Sequence, residues 1–537
     1  MTSTIRDYAI AKGLPKEAQS ICPDCGKIVK ARLFDKDGKV YMEKTCPAHG
    51  YFCDVYWSDV EMFLRAEKYA HDGIGLKNPK GGENDNVHVL IDGQRVDMLT
   101  CSALANIDLT NRCNMNCPIC FANANHQGYV YEPDAETLGR MMDALRAEEP
   151  IKCTAVQFSG GEPTIHPDFV KIIGMAKQRD FAQIQVATNG IKFAKDYEMF
   201  KAASEAGLNS VYLSFDGVSD DVYLQARDRR MFQVKLDVIE NCRRIKKENG
   251  KCPSIVLVPT LVRGVNDHQI GDMAKFAFDN SDVIRGINFQ PVAFTGRITR
   301  EEVSKGRFTL PDLVREFGKQ TGYTTKDDWF PVPVVAPISD FASIILNQNK
   351  VTFSTHPHCG IATYIFIDNR GKAVPFPKFI DVDMFTTELN NLSKRTERSI
   401  FKKAKALKLK KILERSIIEG NLPDGMNKDE FVSMIVGVMS NKSKTNLAFF
   451  SWKMMFFGGM HFQDSFNYDI ERVRRCGVHY ITPDCQVIPF CAYNGGPEYR
   501  KMVEEKFSIP LDEWKAKNKK GAEELEAAMI VPDDQKA

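Results

Sequence analysis

The stretch ANIDLTNRCNMNCPIC, residues 105–120, decides the reading of this chain. Its first six residues read as a short strand, and a loop directly after it carries three thiols, Cys113, Cys117 and Cys120. Soft thiolates so spaced suit an iron–sulfur cluster. A fourth cysteine is missing, so a [4Fe-4S] cube held by these three keeps one iron open for another ligand. The alternative, a zinc site with a distant fourth ligand, disagrees with the motifs further along the chain.

Working outward, short β-branched runs alternate with helical patterns from about 101 to 300. After ANIDLT (105–110) the candidate strands are AVQFSG (155–160), IQVAT (184–188), SVYLSF (210–215), IVLVPT (255–260) and GINFQPV (286–292). Each spacing leaves room for a helix, which calls for right-handed crossovers and a parallel sheet. In such α/β folds, active groups gather at the C-terminal ends of strands. Cys113, Gly160, Asn189, Asp216 and Gln290 all fall there.

The three-cysteine loop, Gly160-Gly161-Glu162-Pro163 after the second strand and the polar ends of the later strands together resemble the radical S-adenosylmethionine (SAM) superfamily over about 105–300. Ile119 stands where an aromatic is more usual. The resemblance implies a partial (β/α)6 barrel in which the open iron chelates SAM and an electron releases a 5′-deoxyadenosyl radical. It also implies a low-potential donor such as ferredoxin or flavodoxin.

The residues themselves are compatible with that reading. Gly160 and Gly161 allow close backbone approach to a ligand, with Glu162 assisting. Thr188, Asn189, Ser214 and Asp216 can reach ribose hydroxyls or a carboxylate, or act as turn caps. Arg227 reads either as a clamp on the SAM carboxylate or as a solvated helix charge. Gln290 closes the sixth strand toward adenine or substrate.

Two cysteine-bearing regions flank this core. Near the N-terminus, Cys22-Pro-Asp-Cys25 and Cys46-Pro-Ala-His49 form matched knuckles suited to tetrahedral zinc or a rubredoxin-like mononuclear iron, with Cys53 competing against His49 for the fourth place. Near the C-terminus, CGIATYI from Cys359 with VPF is echoed by CGVHYI from Cys476 with IPF, implying two similar β-hairpins. Cys359, Cys476, Cys485 and Cys491 then supply four thiolates for an auxiliary [4Fe-4S] cluster. His356 and His358 read as substitute ligands, as substrate contacts or as packed loop residues. Cys101, Cys153, Cys242 and Cys252 stand alone and read as small buried apolar residues.

The expected organisation is a rubredoxin-like metal domain at 1–60, a connecting segment at 61–104, the barrel at 105–300 and linker helices at 301–350. An auxiliary-cluster domain at 351–500 and a charged tail at 501–537 complete it. Charge excludes little, since 72 Lys and Arg face 70 Asp and Glu for a net +2, which gives no global reason to expect nucleic acid. The opening MTSTIRDYAIAKGLPKEAQS lacks the basic and apolar regions of a signal peptide, so a cytoplasmic protein is expected.

Residues 394–415 hold ten Lys or Arg and two Glu around an apolar face of Ile400, Phe401, Ala404, Leu407 and Leu413. That face suits either peripheral contact with an anionic membrane or a packed helix. The segment AFFSWKMMFFGGMHF (448–462) suits either a channel for a hydrophobic substrate or a core helix.

The N-terminal knuckles, LVPTLVRGVND, NFQPVAFTGR, HPHCG and GMHFQDSFNYDIERVRRCG running to PFCAYN further resemble the archaeal tetraether lipid synthase family over about 20–500. That resemblance implies C–C coupling of lipid alkyl chains. Close relatives imply an alternative, methylation of a pterin or other heterocyclic precursor.

Overall fold

The computed structural model describes residues 10–78, 86–296, 307–397, 406–439, 454–496 and 499–529. Four antiparallel strands open the chain: β1 (Lys16–Ile21), β2 (Ile28–Lys36), β3 (Lys39–Cys46) and β4 (Gly50–Trp57). Helix Val60–Ala66 comes next, started by Asp59, whose carboxylate accepts from Met62 N at 2.8 Å.

The barrel strands lie where the alternating runs place them: β5 (Leu104–Thr110), β6 (Ala155–Gly160), β7 (Gln183–Thr188), β8 (Ser210–Ser214), β9 (Ser254–Val258) and β10 (Ile284–Pro291). They pair in parallel and in chain order, with helices such as Ala135–Arg146, Phe169–Gln178 and Phe232–Asn249 making the crossovers. Residues on one face, among them Ile107, Phe158, Val186, Leu213, Leu257 and Ile287, are fully buried with apolar helix residues such as Leu138, Ile172 and Phe200. The period of two turns Asn106, Gln157, Gln185, Tyr212 and Asn288 to the other, concave face.

Beyond residue 350 the outcome differs from the expectation. The C-terminal hairpins are not a separate layer. Strands β11 (Gly360–Ile367) and β12 (Met454–Met460) extend the sheet beyond β10, while β13 (Val478–Ile481) and β14 (Val487–Pro489) extend it beyond β5. Strand β12 runs parallel to β10 and β13 runs parallel to β5, so eight consecutive strands are parallel.

The greasy segment expected as a channel or core helix is therefore a sheet strand over its described part. Phe457 packs on the helix side and Phe456 on the concave side, edge-on to Tyr364 at 5.4 Å. Residues 448–453 lie outside the described residues.

The insertion between the hairpins makes its own small core. Helices Val382–Glu397, Ala406–Ser416 and Lys428–Met439 enclose Leu389, Leu409, Ile412, Leu413 and Phe431. The apolar face of the described basic helix is thus covered by protein; Ile400, Phe401 and Ala404 lie outside the described residues. No described helix is long and apolar enough to cross a membrane.

The helix that leads into the tail carries more than charge. Arg500, on helix Tyr499–Phe507, reaches the concave face and donates to Asp108 Oδ2 at 3.2 Å and Glu504 Oε1 at 3.0 Å, with its guanidinium 4.8 Å over the Tyr493 ring. The N-terminal sheet is tied to the barrel by Arg307, which is fully buried. Arg307 donates to Asp54 Oδ2 at 2.6 and 2.9 Å and to Asp464 at 2.7 and 3.0 Å. Two carboxylates thus give the buried guanidinium a charged partner on each side.

Candidate active site and metal centres

The loop after β5 presents Cys113, Cys117 and Cys120 together, and the thiols act on one another electrostatically. Asn125 staples the loop, with its Oδ1 accepting from Cys113 N at 2.8 Å and its Nδ2 donating to the carbonyls of Cys113 and Met115 at 2.9 and 3.1 Å. Three converging thiols on a loop with few side-chain competitors fit a site-differentiated cluster.

The Gly160-Gly161 turn packs directly against the cluster loop. A Cβ on Gly160 would lie 2.2 Å from Thr110 O, and one on Gly161 would lie 2.2 Å from Arg112 O. The glycines therefore admit the backbone of the cluster loop. Gly161 N donates to Thr110 O at 2.7 Å, locking the two strand ends together.

Glu162, nearly sealed from solvent, is the next tie. Its carboxylate accepts from Thr188 Oγ1 at 2.7 Å, Asn189 N at 2.8 Å and Thr164 N at 3.2 Å, and burial raises its pKa. Pro163 opens a short helical turn directly after it. Asn189 Nδ2 reaches back to Asn114 Oδ1 on the cluster loop at 2.7 Å. Ser214 and Gln290 sit half-buried on the same rim.

Arg227 is not the solvated helix charge: its side chain is mostly buried. Its Nε and Nη2 donate to the two carboxylate oxygens of buried Asp216 at 2.7 and 2.8 Å, and its Nη1 donates to Ile119 O at 3.0 Å. It also hydrogen-bonds the Cys117 thiol. The pair links β8's end to the cluster loop from behind.

Sequence reasoning missed Lys235. It is buried, donates to Asn189 O at 2.6 Å and lies 5.6 Å from the Tyr223 ring. Burial lowers its pKa to about 8, against the pull of Asp216. The available signal was its place three, four and seven residues before Val238, Ile239 and Cys242, on the buried face of helix Phe232–Asn249.

At the N-terminal knuckles, ligand atoms of Cys22, Cys25, Cys46 and His49 all lie within 4.8 Å of one another. His49 Nδ1 is 3.6 Å from Cys22 Sγ and 3.5 Å from Cys46 Sγ. Cys53 is exposed beside Tyr51 and is outside the set, so His49 takes the fourth place. A Cys3His tetrahedron fits a structural zinc ion, and also iron.

In the C-terminal region, Cys359, Cys476 and Cys491 influence one another, while Cys485 does not join them. Cys485 sits at the tip of the β13–β14 turn with φ 63°, exposed, 3.8 Å from Arg140 O. The other two hairpin cysteines flank the open end, so the strands themselves separate them from Cys485.

Around the three-thiol group, Arg472 Nε donates to Cys359 Sγ at 3.3 Å and Gln463 N to Cys491 Sγ at 3.4 Å. Both ring nitrogens of His461, Gln463 Nε2, Tyr468 Oη and Arg472 Nη1 are buried without a hydrogen-bond partner. Orphaned donors beside three thiols fit an occupant that accepts hydrogen bonds, as the sulfides of an iron–sulfur cluster do.

His358 is not a substitute ligand: its ring stacks on Phe63 at 3.8 Å and hydrogen-bonds Phe63 O at 3.2 Å. Cys101, Cys153 and Cys242 are buried as expected; Cys252 is only partly buried, and Cys242 lies beside it, its Sγ donating to Pro253 O at 3.2 Å.

The chain matches the Radical SAM superfamily over residues 107–277 and the HMPTM N-terminal zinc ribbon domain over residues 14–58. It is 43% identical over 524 residues to a Methanocaldococcus jannaschii protein named 7,8-dihydro-6-hydroxymethylpterin dimethyltransferase, covering 95% of this chain and 99% of that one. A GTP 3′,8-cyclase of Clostridium acetobutylicum is 26% identical over 223 residues, covering 41% of this chain and 64% of that one. Among solved structures, methylornithine synthase aligns with a TM-score of 0.29 at 15% identity, over 43% of this chain and 64% of that one.

The chain is a radical SAM enzyme, and within that superfamily it belongs to the family of the M. jannaschii protein.

Proposed function

We propose that this enzyme methylates a polar heteroaromatic substrate of the pterin type, bound against the concave face of the sheet. The observation that carries this reading is the chemistry of that face. Gln157 Nε2 donates to Asn106 Oδ1 at 2.7 Å, Gln185 Nε2 donates to Gln157 Oε1 at 2.7 Å, and Gln185 in turn meets Tyr212. Asn106 Nδ2 is buried and has no hydrogen-bond partner. A ring with several donors and acceptors can complete such a ladder. An alkyl chain covering it leaves each unpaired polar group at a cost of about 1–3 kcal/mol.

The name carried by the M. jannaschii relative supports the same reading. The edge-on pair of Tyr364 and Phe456 offers an apolar wall for a flat ring.

When bound, the cluster and SAM supply a 5′-deoxyadenosyl radical able to remove hydrogen from an unactivated carbon. Cys113, Cys117 and Cys120 would hold the cluster. Thr188, Asn189, Ser214 and Gln290 would hold SAM, on a rim kept in register by Glu162, Asp216, Arg227 and Lys235. Cys359, Cys476 and Cys491 would hold an auxiliary iron–sulfur cluster. A low-potential ferredoxin or flavodoxin would supply the electron.

Anaerobic, reduced protein incubated with SAM and a reduced 6-hydroxymethylpterin is expected to yield a product heavier by one or two methylene units. A parallel incubation with dialkyl lipids tests the competing chain-coupling reading. Unchanged pterin together with lipid products lighter by two hydrogens would replace the heterocycle with an alkyl substrate.

A further inference from the structure

A second thiol site stands on the rim opposite the cluster loop. Helix Phe232–Asn249 ends at Gly250, whose φ of 71° turns the chain sharply into β9. That turn brings Cys252, just before β9, back onto Cys242, in the helix two turns earlier. Cys242 Sγ donates at 3.2 Å to the carbonyl oxygen of Pro253, the residue next to Cys252, so the two thiols lie side by side and act on each other. Because β9 starts here, the pair lies at the N-terminal ends of the parallel strands, whereas Cys113, Cys117 and Cys120 come after a C-terminal end.

The two sulfurs are chemically unequal. Cys242 is fully buried, whereas Cys252 is partly exposed. The neighbouring Cys242 thiol lowers the Cys252 pKa, and the cations of Lys246 and Arg285 lower it further, against burial and Asp282. Cys242 is pushed well up by the adjoining Cys252 thiol and by burial, which outweigh the Lys246 cation. An accessible thiolate backed by a buried thiol is the arrangement of an attacking and a resolving cysteine.

We propose that Cys242 and Cys252 form a thiol–disulfide exchange site, oxidised by low-molecular-weight disulfides and reduced again by low-molecular-weight thiols. Cys252 sulfur attacks one sulfur of the small disulfide and expels the other half as a thiolate, which takes up a proton. Cys242, losing its proton to solvent, then attacks Cys252 sulfur and expels the second half. Two protein thiols are oxidised by two electrons, and one small disulfide becomes two small thiols. The product ties the helix that carries Lys235 to the start of β9.

The test uses anaerobically prepared holoenzyme treated with oxidised glutathione, capped with an alkylating reagent, digested and mapped by mass spectrometry. The expected result is a peptide pair joined through Cys242 and Cys252, lighter than the two free-thiol peptides by two hydrogens and reversed by reduced glutathione. In Cys242→Ser the expected result is a stable glutathione adduct on Cys252. In Cys252→Ser, Cys242 is expected to stay unmodified because it is buried. Alkylation of both thiols in oxidant-treated wild type, while exposed Cys53 or Cys485 carries glutathione, would overturn the proposal. So would a glutathione adduct on Cys252 in wild type that Cys242 never resolves.

Discussion

Arg227 and Asp216 show how much one buried pair can govern. The guanidinium satisfies both oxygens of a carboxylate that has no exposure to solvent, and it reaches the cluster loop through Ile119 O. Removing one partner strands the other charge, which typically costs about 3–5 kcal/mol. Arg227→Met is therefore expected to lower anaerobic unfolding stability by about that much, and adding Asp216→Asn to restore part of it. A second residue-scale prediction concerns Glu148, which accepts from Ser102 Oγ at 2.8 Å and whose pKa burial raises from 4.5 to about 8. Its folded state binds the proton more tightly than the unfolded state. The stability it contributes is present below pH 4.5 and is lost as pH rises through 8. Glu148→Gln should flatten that decline, read from urea midpoints between these values. A flat wild-type profile would contradict the assignment. Neither residue's role was legible in the sequence, because helix periodicity locates a charge but not the partner that buries it.

At the scale of elements, the strand ends were legible and their contacts were not. Each barrel strand begins and ends within two residues of its alternating run, since β-branched clusters and the helical spacers between them are local signals. The Gly160-Gly161 turn was also visible, but its neighbours are residues 110–112, brought there only by parallel pairing of β5 and β6. Gly161→Ala should displace the cluster loop and lower bound iron per chain while leaving helix content nearly unchanged. Gly174→Ala is the control: it lies in helix Phe169–Gln178 with open space at its Cβ, so it should stabilise by about 0.5–1 kcal/mol. The same limit explains Cys485. The repeat located two hairpins correctly, yet only their folded arrangement separates the tip from the open ends. Cys485→Ser is expected to leave iron content unchanged and Cys476→Ser to lower it; equal loss from both would restore Cys485 to the ligand set.

For the whole molecule, the sequence marked the central barrel and both flanking cysteine regions but placed the flanks as appendages. Strands β12 and β13 instead continue the parallel sheet on either side, and Arg500 from the helix that leads into the tail reaches Asp108 on its concave face. Pairing between strands hundreds of residues apart carries no local sequence signal. The zinc ribbon is likewise tied in, through Arg307 between Asp54 and Asp464. The account rests above all on radical chemistry at Cys113, Cys117 and Cys120. The most direct test is to measure 5′-deoxyadenosine from dithionite-reduced wild type and Cys117→Ala, each incubated anaerobically with SAM and matched by circular dichroism. Wild type is expected to release 5′-deoxyadenosine and the variant none; release by both, or by neither, would contradict the account.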